Sequence, residues 1–337
     1  MSSLLNNKNI MITGGTGSFG KEFVIRTLRK YKPKKIIIFS RDELKQYEFE
    51  NLLNEKKLIS NRNVRFFIGD VRDKERLQMA TREVDYLIHA AALKHVPFAE
   101  YNPFEAVKTN VFGAQNVIEA CIENNVEKVI ALSTDKASSP SNLYGATKLT
   151  ADKLFVSANN YVGKKKLKFS VVRYGNVMSS SGSVIPLFKN QVKRNGVLTI
   201  TDPSMTRFNI TLEEGVDFVT KIFSLMWGGE IFVPKLSSYK ILDIVKAIAP
   251  NSKIKIIGLR PGEKIHEEMV SVNDSTNTLE FSKYFVILPF SKYLGWTKND
   301  YKKKTKEKSK FCKNDFSYSS DKNPNFLTIR DLKKLMK

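Results

Sequence analysis

Cysteine is scarce in this 337-residue chain: Cys121 and Cys312 stand apart, and neither belongs to a CxxC pair. Two isolated thiols build no disulfide framework and no structural zinc site, and they suit a reducing compartment. The stretch KIHEEM at 264–269 is not HExxH, so no catalytic metal is expected. No apolar run approaches the roughly 18 residues of a spanning helix. The opening MSSLLNNKNIMITGG has no basic segment leading into a long apolar one. No signal peptide, no membrane attachment and a cytoplasmic location are therefore expected. Acidic residues are also short, 34 against 56 Lys and Arg, a formal charge of +22. That surplus favours anionic partners, either phosphorylated small molecules or nucleic acid. The densest basic run, YKKKTKEKSKFCK at 301–313, lacks flanking aromatic repeats and reads as a mobile loop rather than a nucleic-acid groove. A nucleic-acid binder stays open on charge alone and predicts steep salt dependence of duplex binding.

With 42% apolar and 27% charged residues, the chain has the composition of a folded protein. β-rich runs at 9–13, 34–40, 64–70, 84–92, 127–134 and 169–177 alternate with helix-patterned stretches. This alternation predicts an α/β fold with a doubly wound parallel sheet of Rossmann type. Ligands bind such sheets at the carboxyl ends of the strands. Gly14, Arg41, Asp70, Ala92, Asp135 and Asn176 all fall at those ends. Past residue 177 the alternation weakens. The expected division is a dinucleotide-binding domain at 1–177 and a mainly substrate-binding lobe at 178–337, with segments after about 207 free to rejoin the sheet.

TGGTGSFG at 13–20 follows the first run and opens a helix. Its Gly14, Gly17 and Gly20, with Thr16, Ser18 and Phe19 between them, suit a tight turn over a pyrophosphate at a helix N-terminus. The second run ends in Ser40-Arg41-Asp42, with Lys45 one turn on. Ser40, Arg41 and Lys45 suit a 2′-phosphate and so NADP, whereas Asp42 leaves NAD open. Asp70 with Val71 could meet the adenine, and Ala91 and Ala92 leave room for a flat ring beside Lys94. His95 is assigned no role. LSTDKASSPSNLYGATK, at 132–148, places Thr134, Asp135 and Lys136 at a strand end. Tyr144 and Lys148, four apart, share one face of a helix. A phenol acting as a base near neutrality needs its pKa lowered by roughly three units, which a nearby ammonium and a cationic nicotinamide could supply.

These residues resemble the extended short-chain dehydrogenase/reductase superfamily. Within it, the chain looks like the inverting UDP-N-acetylglucosamine 4,6-dehydratases of pseudaminic acid biosynthesis. The likeness runs through ITGGTGSFGK, SRDELKQ, FFIGDVRD, IHAAALKHVP, LSTDKA, NLYGATKL, FSVVRYGNV, GGEIFVPK and RPGEKIHE. The Thr-Asp-Lys triplet is its specific part. The resemblance implies that NADP is the cofactor, with Val177 among its contacts, and that UDP-N-acetylglucosamine is the substrate. It also implies a homo-oligomer, hexamer or dimer. Tyr144, aided by Lys148 and Thr134, would deprotonate the sugar 4-hydroxyl. Lys136, with a depressed pKa, would be the C5 base, and Asp135 the acid for water loss. Substrate contacts would come from Lys94, Asn176, Ser181, Gly182, Ser183, Val184, Ile185, Met205, Arg207, Arg260 and Glu263. Ser181 stands where the family pattern has Arg. A UDP-sugar 4-epimerase, or an NADP-binding regulatory protein without turnover, is the alternative.

Overall fold

Ile, Val and Phe crowd the short strands of the first half, and those strands form the centre of one ten-stranded sheet. The computed structural model describes residues 3–59, 63–163, 165–178, 184–290, 295–305 and 307–336. Across the sheet the order is Lys310–Phe311, Thr278–Glu280, Tyr284–Ile287, Ile231–Pro234, Lys168–Tyr174, Lys128–Thr134, Tyr86–His89, Asn9–Thr13, Lys35–Ser40 and Val64–Ile68. From Ile231–Pro234 to Val64–Ile68 all pairings are parallel, and the three strands beyond are antiparallel. Winding reverses between Asn9–Thr13 and Tyr86–His89, which opens a crevice at their carboxyl ends.

The helices start where side chains satisfy their free N–H groups. Asp42, Asp73 and Asn142 accept from the first turns of Glu43–Glu55, Lys74–Ala80 and Leu143–Ala158. Thr211 and Glu214 form a reciprocal capping box on Leu212–Leu225. That helix buries Val216, Val219, Ile222 and Phe223 in the main core.

The second half does not form a separate lobe throughout. Four of its segments, Ile231–Pro234, Thr278–Glu280, Tyr284–Ile287 and Lys310–Phe311, extend the large sheet. A second core gathers Ile185, Phe188, Leu198, Ile200, Met205, Tyr239, Ile244 and Leu332. Around it lie a three-stranded sheet of Ser237–Lys240, Thr206–Ile210 and Asn176–Val177 and the parallel pair Lys253–Ile256 with Val197–Ile200. Among its described residues, the basic run expected as a loop at 301–313 is only partly one. It holds the end of the Lys298–Lys304 helix and the Lys310–Phe311 edge strand, anchored by buried Tyr301 against Trp227 and Trp296. Among the described residues no helix is long and apolar enough to cross a membrane.

Candidate active site

The glycine turn sits in the crevice where the sheet reverses. Gly14 has φ +66°, and a Cβ there would lie 2.8 Å from the Ala91 amide nitrogen, so only glycine lets the two strand ends approach this closely. At Gly20 a Cβ would meet the Gly15 carbonyl oxygen at 2.5 Å, so the helix packs directly on the turn. Gly17 caps the Ser18–Lys30 helix without a side chain, leaving first-turn N–H groups for an outside acceptor. Such donors fit a diphosphate.

At the end of Lys128–Thr134 a short 3₁₀ turn, Asp135–Ala137, carries the candidate acid/base residues Asp135 and Lys136. Thr134 Oγ1 donates to Asp135 Oδ1 at 2.9 Å, and the Tyr144 phenol lies beside it. Lys136 Nζ lies 3.1 Å from Asp135 Oδ1 and 3.1 Å from Glu267 Oε1. Thr134, Asp135, Lys136 and Glu267 thus form one connected run of hydrogen bonds and ion pairs, with the Tyr144 phenol beside its Thr134 end. Helix Leu143–Ala158 reaches it through Gly145, where a Cβ would collide with the Lys136 carbonyl oxygen. Lys148 is buried beneath, its Nζ donating to Leu132 O at 2.8 Å. Among the described residues, no three His, Cys, Asp or Glu side chains are grouped to hold a metal ion.

Burial and charge decide the proton affinities. Burial raises the Asp135 carboxyl above its ordinary range; Lys136 opposes the shift and Glu267 adds to it. For Lys136, burial pulls downward, but Asp135 and Glu267 overcome it and hold the ammonium above its usual value. The depressed Lys136 expected from the sequence is therefore not found, because two carboxylates flank the amine. Tyr144 is pushed up to about 12 by burial, with Lys136 and the Thr134 hydroxyl pulling the other way. The cation acting most on this phenol is Lys136 rather than Lys148. Burial lowers Lys148 itself, against the pull of Asp152.

Residues 10–289 match the model of a family described as polysaccharide biosynthesis protein. The chain belongs to this family. Over 330 residues it is 56% identical to the inverting UDP-N-acetylglucosamine 4,6-dehydratase of Campylobacter jejuni, covering 98% of this chain and 97% of that protein. It is also 44% identical over 288 residues to the UDP-glucose 4-epimerase of Rickettsia bellii, covering 83% of each. Among solved structures, Pen from Bacillus thuringiensis matches with a TM-score of 0.87 and 40% identity, covering 99% of both chains. The resemblance read from the motifs therefore extends over nearly the whole sequence.

Within this family fold, the sequence-assigned residues fall into three groups. Thr134, Asp135, Lys136 and Tyr144 converge, as described. Around the dinucleotide crevice, several residues have structural duties. Asp42 caps its helix and binds the Lys45 ammonium at 2.6 Å, which ties Lys45 down and leaves Arg41 as the more available cation. Ser40 accepts from Gln46, and Asp70 is bonded by Arg72, with Arg41 3.7 Å away. Phe19 and Val71 turn their side chains into the main core, and Val177 packs against it. Ala91 and Ala92 are half-buried at the crevice, and Lys94 is exposed.

On the substrate side, Arg207 is buried and donates to the carbonyls of Thr206, Ile265 and Lys264. It braces the segment that carries Glu263 and Glu267. Met205 and Ile185 belong to the second core, with Val184 packed against it. Asn176 pairs with Asn209 across a short sheet, and the exposed Arg260 donates its N–H to Glu263. Ser181, Gly182 and Ser183 lie outside the described residues. Sequence reasoning missed Glu267. It closes the quoted RPGEKIHE, yet nothing in the local pattern says that this glutamate meets Lys136. Asn110 was missed too: its side chain bonds both the N–H and carbonyl of Leu93 and the Thr147 hydroxyl, tying the Ala90–Ala92 loop to the Tyr144 helix.

Proposed function

We propose that the protein is an inverting UDP-N-acetylglucosamine 4,6-dehydratase. The product is UDP-2-acetamido-2,6-dideoxy-β-L-arabino-hex-4-ulose, a nucleotide sugar for pseudaminic-acid-type biosynthesis. The observation that carries this reading is the Asp135–Lys136 pair, 3.1 Å apart, bonded to Thr134 and set beside Tyr144. A 4-epimerase needs Tyr144 and Lys148 but has no use for a second acid/base pair. A non-catalytic sensor has no use for either.

The glycine turn and the uncapped helix N-terminus would hold the diphosphate of NADP, and Arg41 favours its 2′-phosphate. When bound, this cofactor accepts hydride from C4 and returns it to C6. Tyr144 takes the proton of the 4-hydroxyl. Lys136 removes the proton at C5, made acidic by the new ketone, and Asp135 protonates the departing 6-hydroxyl. Two protons leave the sugar, one departs in water, and one returns to C5 on the opposite face.

The test is incubation with UDP-N-acetylglucosamine in deuterium oxide, followed by mass spectrometry and NMR. Loss of one water with deuterium at C5 and an L-arabino product is expected. A galacto product of unchanged mass apart from exchange would make the protein an epimerase. Bound cofactor with no reaction would leave the sensor reading or a different sugar.

A further inference from the structure

Four ionisable side chains, Asp135 and Lys136 with Arg207 and Glu267 from distant parts of the chain, meet at the Asp135 turn. Lys136 Nζ touches Asp135 and Glu267, and Arg207 Nε lies 3.7 Å from the same Glu267 oxygen. Glu267 is 2% exposed, and its second oxygen, like the outer oxygen of Asp135, has no hydrogen-bond partner among the described residues. Its backbone is pinned on both sides: its N–H donates to Ser320 Oγ at 2.9 Å, and its carbonyl accepts from the Ser320 amide at 2.7 Å. Burying a carboxylate is costly unless it is paired. This one is paired with the amine that the reaction needs as a base.

We propose that Glu267 is a positioning residue that holds Lys136 against Asp135 and governs where the proton they share resides. This rests on the dehydratase reading. As the ion pair its 3.1 Å contact describes, the resting pair is an ammonium against a carboxylate, the reverse of what elimination requires. Transfer of one proton from Nζ to Asp135 Oδ1 breaks an N–H bond and forms an O–H bond, giving a neutral amine and a neutral carboxylic acid. The amine then takes the C5 proton, and the acid gives its proton to the C6 oxygen, which leaves as water. The pair ends as it began. Glu267 keeps its charge throughout, retains Nζ while Asp135 is neutral, and opposes loss of the shared proton to solvent.

Other charged or titratable groups also face this centre. Arg207 comes from the Thr206–Ile210 strand, with Glu263 3.8 Å from its guanidinium. Lys264 and Glu268 lie on the segment of Glu267 itself, Tyr239 on the neighbouring strand, and Tyr144 on the helix opposite. Among the described residues, only Asp135 and Glu267 form ion pairs with Lys136.

Removing a negative neighbour favours the deprotonated form of both a carboxyl and an amine. The experiment is the pH dependence of kcat for wild type, E267Q and E267D with UDP-N-acetylglucosamine, reading water loss by mass. E267Q is expected to move both limbs of the profile to lower pH by about one unit or more, with KM little changed. E267D keeps the charge, so it should keep the wild-type limbs at reduced kcat. Unmoved limbs in E267Q, or E267D moving as far as E267Q, would overturn the proposal. If E267Q does not fold, carbon-13 NMR of the wild-type carboxyls, assigned with E267D, decides instead. Glu267 should stay ionised across the range in which kcat changes, and its titration together with the acid limb would refute the role. A wild type that releases no water removes the dehydratase reading, and this proposal with it.

Discussion

At the scale of single residues, the site works by burying charges in matched numbers. With Asp135 and Lys136 proposed as the acid/base pair, removing either functional group should reduce turnover by about 10²–10⁴-fold, as for other general acids and bases. D135N and K136M are expected to fall in that range while still binding UDP-N-acetylglucosamine, checked by steady-state kinetics and a binding titration. Activity within a factor of a few of wild type in D135N would remove Asp135 from water loss. His89 offers a separate residue-level test. It is fully buried with Nδ1 2.9 Å from Thr13 Oγ1, and burial, followed by the Lys148 charge, lowers its pKa to about 3. In the unfolded chain the imidazole takes up a proton below about pH 6.5, whereas in the folded chain it stays neutral. Its stabilising contribution is therefore complete above about 6.5 and shrinks as the pH falls toward 3, by at most about 1.4 kcal/mol per pH unit. Urea unfolding of wild type and H89Q between about pH 7 and about pH 5 should show the steeper loss in wild type. Parallel slopes would mean that His89 is protonated in the fold.

Elements bring those residues together, and their ends matter more than their middles. Gly14→Ala places a Cβ 2.8 Å from the Ala91 nitrogen at a backbone φ of +66°. The left-handed conformation alone costs about 1–2 kcal/mol for an L side chain, and the clash pushes apart the strand ends that form the crevice. Dinucleotide affinity should fall by well over tenfold, measured by titration of the purified variant. Retained affinity would show that the turn can open without harm. Thr211→Ala acts elsewhere: it removes the hydrogen bond that the Glu214 N–H donates to the Thr211 hydroxyl, one of the two bonds of the capping box on Leu212–Leu225, and should cost about 1 kcal/mol in urea unfolding. Turnover should be unaffected, because that helix packs on the main core rather than on the acid/base chain. Much of this scale was legible beforehand. The glycine turn, the strand-end placement of Asp135 and the shared face of Tyr144 and Lys148 all depend on local spacing. In the basic run at 301–313 the loop reading missed its two ends, because Lys-rich composition hid the end of a helix whose buried anchor, Tyr301, is a single residue.

For the whole molecule, net charge is the property with the longest reach. A chain of charge +22 attracts a nucleoside-diphosphate sugar from beyond contact range. Raising ionic strength from about 0.01 M to about 0.1 M shortens the screening length from about 30 Å to about 10 Å. The ratio kcat/KM should then fall several-fold with kcat nearly constant. A flat response would place the surplus Lys and Arg on faces that do not steer substrate.

The order of strands and helices in the first half, the glycine turn and the Thr-Asp-Lys and Tyr-x-x-x-Lys spacings were settled by the sequence itself, because each depends on neighbours within a few residues. Two matters were decided only by the tertiary structure. The second half returns strands to the main sheet, since pairing partners such as Lys168–Tyr174 and Ile231–Pro234 are far apart in the chain. Lys136 holds its proton more tightly than expected, because folding brings Glu267 to 3.1 Å from its ammonium. Proton affinity follows burial and the nearest charges in space, and no local pattern in a sequence records which distant carboxylate those will include.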